Sequence, residues 1–486
     1  MKSIKPIILS FILILFSCEY NETNSDSYVD FYGIEFAGDQ YNEIGENQFI
    51  STETIPISTF SIDADGASYS NIRRFIQQDQ SLPPVAAVRT EELINYFNLD
   101  YAYNDATHPI NLNGEISSCP WNTDNKLVRI GMKAKHLNLN DTQASNFVLL
   151  IDVSGSMGSE DKLELLKSGF KDFVDQTSDT DKIAIVTYAG SAGLVLPSTA
   201  CSNKQTIKDA IDSLGSGGST AGAQGIITAY DIALENYITN GNNRIIIGTD
   251  GDFNVGISNQ DDLISLIEEK RDLGVFLTVL GVGRGNLNDG TLEQIANKGN
   301  GNYEYIDTIE QLRKVFIYDY SKFFTVAKDV KVQVEFNPEI VDAYRLIGYE
   351  NRALNTEDFE DDTEDAGEIG ANQNITAIYE IVPTVESNLL NDKAFTIAVR
   401  YKLPDNDTSI PMTLDIYDQE VAFSQSSDFM KFTASVASFS MLITDSEFKG
   451  DTSYSIISNW LNQTSLSDEH NFKNQFKTIV LDASSL

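Results

Sequence analysis

Basic residues are scarce in this chain. Lys and Arg number 34 against 72 Asp and Glu, a formal net charge of -38 at pH 7 over 486 residues. So acidic a surface repels phosphate backbones, and nucleic-acid binding is not expected. Histidine is scarcer still. The three, His108, His136 and His470, lie far from one another in sequence. No Gly-x-Ser-x-Gly, His-Glu-x-x-His or phosphate-cradling glycine loop occurs. The expectation is therefore a protein that is not an enzyme, with no catalytic residue assigned. Cysteine is limited to Cys18, Cys119 and Cys201. That is too few for a disulfide framework, and spacing does not decide whether Cys119 and Cys201 pair. Long apolar runs are missing beyond the first residues, so no later segment is expected to span a bilayer. What remains is 41% hydrophobic, enough for two or three globular domains with real cores.

The N-terminus carries an address. Lys2 and Lys5 precede the apolar stretch Ile7–Phe16, too short to span a membrane and patterned as a secretory signal. It ends in Leu15-Phe-Ser-Cys18, which resembles the lipobox of bacterial lipoproteins. That resemblance implies a signal peptide over 1–17, an acylated Cys18 (palmitate among its chains) and a lipid anchor in the membrane. The implied compartment is the cell envelope, on either face of a Gram-negative outer membrane. A plain signal peptide cut elsewhere is the alternative.

The chain is organised around Phe147-Val-Leu-Leu-Ile-Asp-Val-Ser-Gly-Ser-Met157. A run of apolar, mostly branched residues reads as a strand buried on both faces, as in a parallel sheet. It ends in Asp152, followed by Ser154 and Ser156, which places one acid and two hydroxyls on the loop where open α/β sheets hold ligands. Such oxygens suit a hard divalent cation. A helix-capping turn is the plainer reading. Asp-x-Ser-x-Ser after a buried strand resembles the metal-ion-dependent adhesion site of von Willebrand factor type A (VWA) domains. Two more loops match that family in order: Gly217-Gly-Ser-Thr220 supplies the Thr, and Arg244-Ile-Ile-Ile-Gly-Thr-Asp250 the second Asp. A capping turn does not account for these.

Around that centre the chain divides into a tether over 18–55, an N-terminal segment over 56–142, an alternating strand–helix domain over 143–325, a β-rich domain over 326–425 and a helical segment over 426–486. The fold class expected is α/β, a doubly wound, mostly parallel, Rossmann-like sheet with a flanking sandwich-type β domain. Whether the β segments on either side of the central domain form one unit is open. Ser61-Ile-Asp-Ala-Asp-Gly66 looks like a fragment of a calcium loop without the later glutamate, and reads instead as a turn and helix cap. Glu357–Glu368 carries eight acids in twelve residues and reads as a solvated loop in preference to a second cation site.

The longer motifs Ser68-Tyr-Ser-Asn-Ile-Arg-Arg-Phe75, Glu91-Glu-Leu-Ile-Asn-Tyr-Phe97, Cys119-Pro-Trp121, Gly248-Thr-Asp-Gly-Asp-Phe-Asn-Val-Gly256 and Tyr344-Arg-Leu-Ile-Gly-Tyr-Glu-Asn-Arg352 resemble a bacterial lipoprotein family. Its members combine a VWA-associated N-terminal segment, a VWA domain and a C-terminal domain without an assigned activity. The resemblance implies that Asp152, Ser154, Ser156, Thr220 and Asp250 hold Mg²⁺, with Mn²⁺ or Ca²⁺ possible on the same oxygens. It implies a protein partner that presents an Asp or Glu to the metal. Oligomeric state is not specified. Two other readings are a structural envelope protein whose metal only stabilises the fold, and a metal-assisted hydrolase. The latter needs a general base, and Asp252 is the one spare carboxylate beside Asp250.

Overall fold

The computed structural model describes residues 38–43, 45–105, 107–138, 142–218, 222–251, 260–384 and 393–486. In chain order the N-terminal part contributes β1 (Ile50–Ser51), β2 (Ile57–Ser61), α1 (Ala67–Gln77), α2 (Thr90–Asn95), β3 (Ile110–Ser118) and β4 (Lys126–Ala134). The central part contributes β5 (Ser145–Asp152), α3 (Leu165–Gln176), β6 (Lys182–Tyr188), β7 (Ala192–Ala200), α4 (Lys204–Asp212), α5 (Gly222–Glu235), β8 (Asn242–Thr249), α6 (Gln260–Arg271), β9 (Phe276–Val282), α7 (Asp289–Lys298), β10 (Tyr303–Ile306) and α8 (Ile309–Arg313). Then follow β11 (Thr325–Phe336), β12 (Val341–Ile347), β13 (Gly367–Gly370), β14 (Asn374–Pro383), β15 (Lys393–Lys402), β16 (Ile410–Tyr417), α9 (Asp428–Ile443), α10 (Tyr454–Asn462) and α11 (Phe472–Ala483).

The central sheet runs β10-β9-β8-β5-β6-β7, parallel except for the antiparallel edge strand β7. Every residue of β5 is buried because both faces of the sheet are covered. Phe147, Leu149 and Ile151 face Leu166, Phe170 and Phe173 of α3, with Ile207 of α4 and Leu312 of α8 in the same core. Val148 and Leu150 face the other way, toward Ile226 and Tyr230 of α5, Ile267 of α6 and Ile295 of α7. The helical stretch that closes the central domain is broken. After α8 the backbone widens into a π turn at Lys314–Tyr318 and tightens into a 3₁₀ turn at Tyr320–Phe323.

The segments flanking this domain are interleaved. One sheet runs β1-β12-β14-β4-β3, the other β13-β11-β15-β16, with β2 also pairing β11. The two sheets share one core, in which Phe60, Val128 and Ile130 from before the central domain meet Val332, Phe336, Tyr379 and Ile397 from after it. A helical layer covers the outer face of the first sheet. Tyr69, Phe97, Phe432, Phe439 and Phe476 pack there with Leu127, Ile347 and Ile378. The Phe97–Phe432 and Phe97–Phe476 ring centroids are 5.0 and 5.5 Å apart, a spacing that adds to simple burial. Helix α1 lies along β10 and covers that edge of the central sheet: Ser70 Oγ donates to the Tyr305 carbonyl at 2.6 Å, and Arg73 makes a two-point ion pair with Asp307.

Within the tether expected over 18–55, the described residues from 38 onward are packed chain. Gln40 exchanges backbone hydrogen bonds with Leu287 and Asp289, and β1 pairs with β12. Aromatic anchors explain this in an otherwise polar stretch: Tyr41 packs on Phe75 and Phe49 on Phe448. Cys119 and Cys201 are both buried and free. The acidic run at 357–368 is held by cationic side chains: Arg271 pairs with Asp365, Arg400 with Asp362, and Lys331 donates to the Asp358 carbonyl. No described helix is long and apolar enough to cross a membrane.

Helix α2 carries two buried acids in its first turn, Glu91 and Glu92. Glu91 accepts the Tyr349 N–H at 3.0 Å, and burial, with Glu350 and Asp63 nearby, pushes its carboxyl from 4.5 up to about 8. An acid whose folded pKa lies above its unfolded one favours the fold below about 4.5, and that contribution is lost as pH rises through 8. Glu91→Gln keeps the acceptor and removes the charge. The unmodified chain is therefore expected to lose more stability between pH 5 and pH 9 than Glu91→Gln does. Parallel denaturant-midpoint profiles for the two proteins would refute this.

Candidate metal centre at the end of the central sheet

Register brings the carboxylates together. Ile151 of β5 pairs with Gly248 of β8, so Asp152 and Thr249 end adjacent strands and Asp250 follows one step on. Thr249 Oγ1 donates to Asp152 Oδ2 at 3.1 Å, and the Gly251 N–H donates to Thr249 Oγ1 at 3.1 Å. Gly251 has φ +93°, and a Cβ there would sit 2.7 Å from the Asn288 nitrogen, so this turn requires glycine.

The loop after β5 is folded by its own side chains. The Ser154 N–H donates to Asp152 Oδ1 at 2.8 Å, closing an Asx turn, and Ser154 Oγ lies 3.0 Å from Ser156 Oγ. Ser156 is exposed and hydrogen-bonds the Asp250 carboxylate, so the four groups form one continuous network that opens to solvent at Ser156. The second loop is clipped alongside: the Gly217 N–H donates to the Val153 carbonyl at 2.7 Å, and the Gly155 N–H to the Gly218 carbonyl at 3.1 Å. Thr220 itself lies outside the described residues, as do Asp252 and Cys18.

Three residues that the motif does not name complete the surroundings: Thr249, Asn286 and Lys162. Asn286 Nδ2 donates to Asp250 Oδ2 at 2.9 Å. Lys162 Nζ donates to the same oxygen at 3.0 Å and to Asn286 Oδ1 at 2.8 Å. In the sequence Lys162 sits within Glu160-Asp-Lys-Leu-Glu164, four charged residues around one leucine, which gives no sign that the lysine turns inward. The signal that could have found it is Gly283. With φ +76° and a position where a Cβ would overlap the Lys162 chain, Gly283 leaves the space through which the lysine reaches inward.

Electrostatics separate the two acids. Burial pushes Asp152 up to about 6, and the Asp250 charge adds to that against hydrogen bonds from Ser154 and Thr249. Burial also acts to raise Asp250, but Asn286, Ser156 and the Lys162 ammonium more than offset it and leave its carboxyl below the ordinary value. The donors are all oxygens, two of them anionic and buried, with no described histidine or cysteine among them. Such a set fits a hard divalent cation. Lys162 is the resident positive charge, and it competes with such a cation. Lys162→Met is expected to raise Mg²⁺ affinity on the order of tenfold, or about 1.4 kcal/mol. Isothermal titration measures it, and a lower affinity would mean that the lysine's hold on Asp250 outweighs its repulsion.

The sheet order, the acid-and-hydroxyl loop at its carboxyl end and the second acid after the adjacent strand define a VWA-type α/β protein. VWA domains commonly bind a metal at a metal-ion-dependent adhesion site and mediate protein interaction. Family models agree: residues 146–316 match the von Willebrand factor type A domain, 35–129 match von Willebrand factor, and 321–486 match the C-terminal part of the uncharacterized protein YfbK. The chain belongs to the YfbK family. It is 38% identical over 465 residues to uncharacterized protein YfbK of Escherichia coli K12, covering 91% of this chain and 80% of that one. A UPF0353 protein of Mycolicibacterium paratuberculosis is 27% identical over 194 residues, 35% of this chain and 57% of that protein. Among solved structures, a von Willebrand factor type A protein from Catenulispora acidiphila is similar over 69% of this chain and 82% of that one, with 15% identity and a TM-score of 0.41.

Proposed function

We propose that this protein is an envelope lipoprotein that holds a divalent cation in its VWA domain and uses it to capture an acidic side chain of a partner protein. The observation that carries this reading is the linked Asp152–Ser154–Ser156–Asp250 network, buried at its carboxylates and open at Ser156. With Thr220, these residues would hold Mg²⁺, or Mn²⁺ or Ca²⁺ on the same oxygens. Hydroxyl ligands bring no charge, so a cation held largely by them retains positive charge and an open position. On a chain of net charge -38 such a spot lets a Glu or Asp of a partner approach where it would otherwise be repelled.

The N-terminal pattern Lys2, Lys5, Ile7–Phe16 and Leu15-Phe-Ser-Cys18 supports lipidation at Cys18 and a place on the outer membrane. We read the protein as a binder, not a catalyst. His108 is engaged with the Tyr401 hydroxyl at 2.9 Å in the sandwich, and His470 stacks on Tyr318 with centroids 3.7 Å apart beside the helical layer. Neither serves the metal loops as a general base.

The test is affinity capture from envelope extract with the tagged full chain, in Mg²⁺ and then in EDTA. A protein retained only with Mg²⁺, and lost with Asp152→Ala, is expected. Equal capture in both conditions, with a lower melting temperature in EDTA, would overturn adhesion in favour of a metal that only stabilises the fold.

A further inference from the structure

Strand β7 ends the central sheet on one side, with no described strand beyond it. Its start adjoins the acid-and-hydroxyl loop. The Val153 N–H donates at 3.0 Å to the carbonyl of Tyr188, the last residue of β6. A Cβ on Gly218 would stand 3.5 Å from both Ala189 Cβ and the Gly190 nitrogen. The turn into β7 and the loops that carry Ser154 and Gly218 thus form one continuous surface.

That surface is built from uncharged sequence. On a chain of net charge -38, residues 153–159, 189–203 and 213–230 contain no Asp, Glu, Lys or Arg. An acidic partner meets no like charge along them. The same absence leaves β7 without the charged side chains that commonly keep a second chain off an exposed strand edge. Pro197 supplies no N–H, and Thr199 Oγ1 donates to the Pro197 carbonyl at 2.7 Å, so the unguarded part of β7 is residues 192–196, beside the loops. A register shift between Ile185↔Leu196 and Val186↔Leu194 places a bulge at Val195. There two neighbouring apolar side chains, Leu194 and Val195, are 46% and 40% exposed.

We propose that residues 192–196 take an extended segment of the partner protein as an added strand, and that an Asp or Glu of the same segment reaches the cation. This rests on the metal-dependent capture proposed above and names the form its ligand takes. The spacing is restrictive. β7 stands two strands from β5. At about 4.8 Å per strand, an added strand lies about 14 Å from the end of β5, a distance that about four or five extended residues cover. The segment is therefore apolar where it lies beside Leu194 and Val195, and its acid follows at that interval. Main-chain pairing supplies affinity, and the acid at the cation selects the partner.

The test screens a phage-displayed library of random peptides against the full chain in Mg²⁺. Enriched peptides are expected to join a run of β-branched or aromatic residues to an Asp or Glu at that spacing. When one of them is bound as a synthetic peptide, the amides of 192–196 should gain protection from hydrogen exchange, which side-chain contact alone would not give. Leu194→Ser with Val195→Ser should weaken the peptide on the order of tenfold through lost apolar contact, without adding charge. Binding that needs Mg²⁺ but leaves these amides unprotected and ignores the double substitution would overturn the added strand while the metal reading stands. Protection that persists in EDTA and in Asp152→Ala would part the strand from the metal and overturn the joint site. Dimerisation of the free chain that the double substitution abolishes, with no peptide enriched, would assign the edge to a second copy and overturn the proposal as well.

Discussion

Glu380→Ala is expected to destabilise the protein by about 3–5 kcal/mol, the scale for breaking a buried ion pair on one side. Glu380 lies in β14, beneath the helical layer, and its carboxylate gathers three donors. Trp121 Nε1 donates to Oε2 at 3.0 Å, Asn125 Nδ2 to Oε1 at 2.6 Å, and Arg345 Nη2 to Oε2 at 3.2 Å. Arg345 is itself buried, with Phe448 stacked 4.1 Å from its guanidinium carbon and Glu46 3.3 Å away as its other acid. Truncation leaves a buried guanidinium short of charge and two N–H donors without acceptors, each worth about 1–3 kcal/mol. The groups come from the Cys119–Asn125 turn, β12 and β14, so the loss falls on the junction of the early and late parts of the chain. Glu380→Gln, which keeps the acceptors, should cost less. Denaturant midpoints measure both, and an alanine variant within 1 kcal/mol of the unmodified chain, a fraction of what orphaned donors cost, would show that the network does not hold the sheets together.

The central domain is legible in the chain because its signals are local. A strand buried on both faces is a contiguous apolar run, and the acid-and-hydroxyl loop begins on the residue where that run stops. For this reason Asp152, Ser154, Ser156 and Asp250, which the structure brings into one hydrogen-bonded network, stand out in the sequence. The sandwich is not legible in the same way. Alternation along Val330–Phe336 says that one face is buried, but not that β2, from Ser61↔Lys331 to Ile57↔Glu335, forms part of the same sheet across the whole inserted domain. Charged residues hide their roles for a related reason. Nothing in the stretches around Lys162, Glu91 and Glu92 marks these charged residues as buried, and only partners far away in sequence make them interior. The early tether is misread because an Asn- and acid-rich composition gives no weight to a few anchors such as Tyr41 and Phe49.

Asp152→Asn is expected to weaken Mg²⁺ binding by roughly 30- to 1,000-fold, the equivalent of about 2–4 kcal/mol lost with one buried charge in contact with a cation. The same substitution should leave the metal-free fold as stable as before, or more stable. Asn keeps an acceptor for the Ser154 N–H that now reaches Oδ1 at 2.8 Å, and it can still accept from Thr249. What it removes is a buried carboxylate held beside another, Asp250, with burial already pushing its pKa to about 6. At neutral pH that charge opposes folding, because an acid whose pKa rises on folding is more easily ionised in the unfolded chain. The two effects have opposite signs, and this distinguishes a binding group from a structural one. Titration calorimetry gives the first and EDTA-treated melting the second. A variant that lost metal and metal-free stability together would instead make Asp152 part of the scaffold. An Asp152 that costs stability when the site is empty, and gives affinity when it is filled, is what a carboxylate placed for a cation would show.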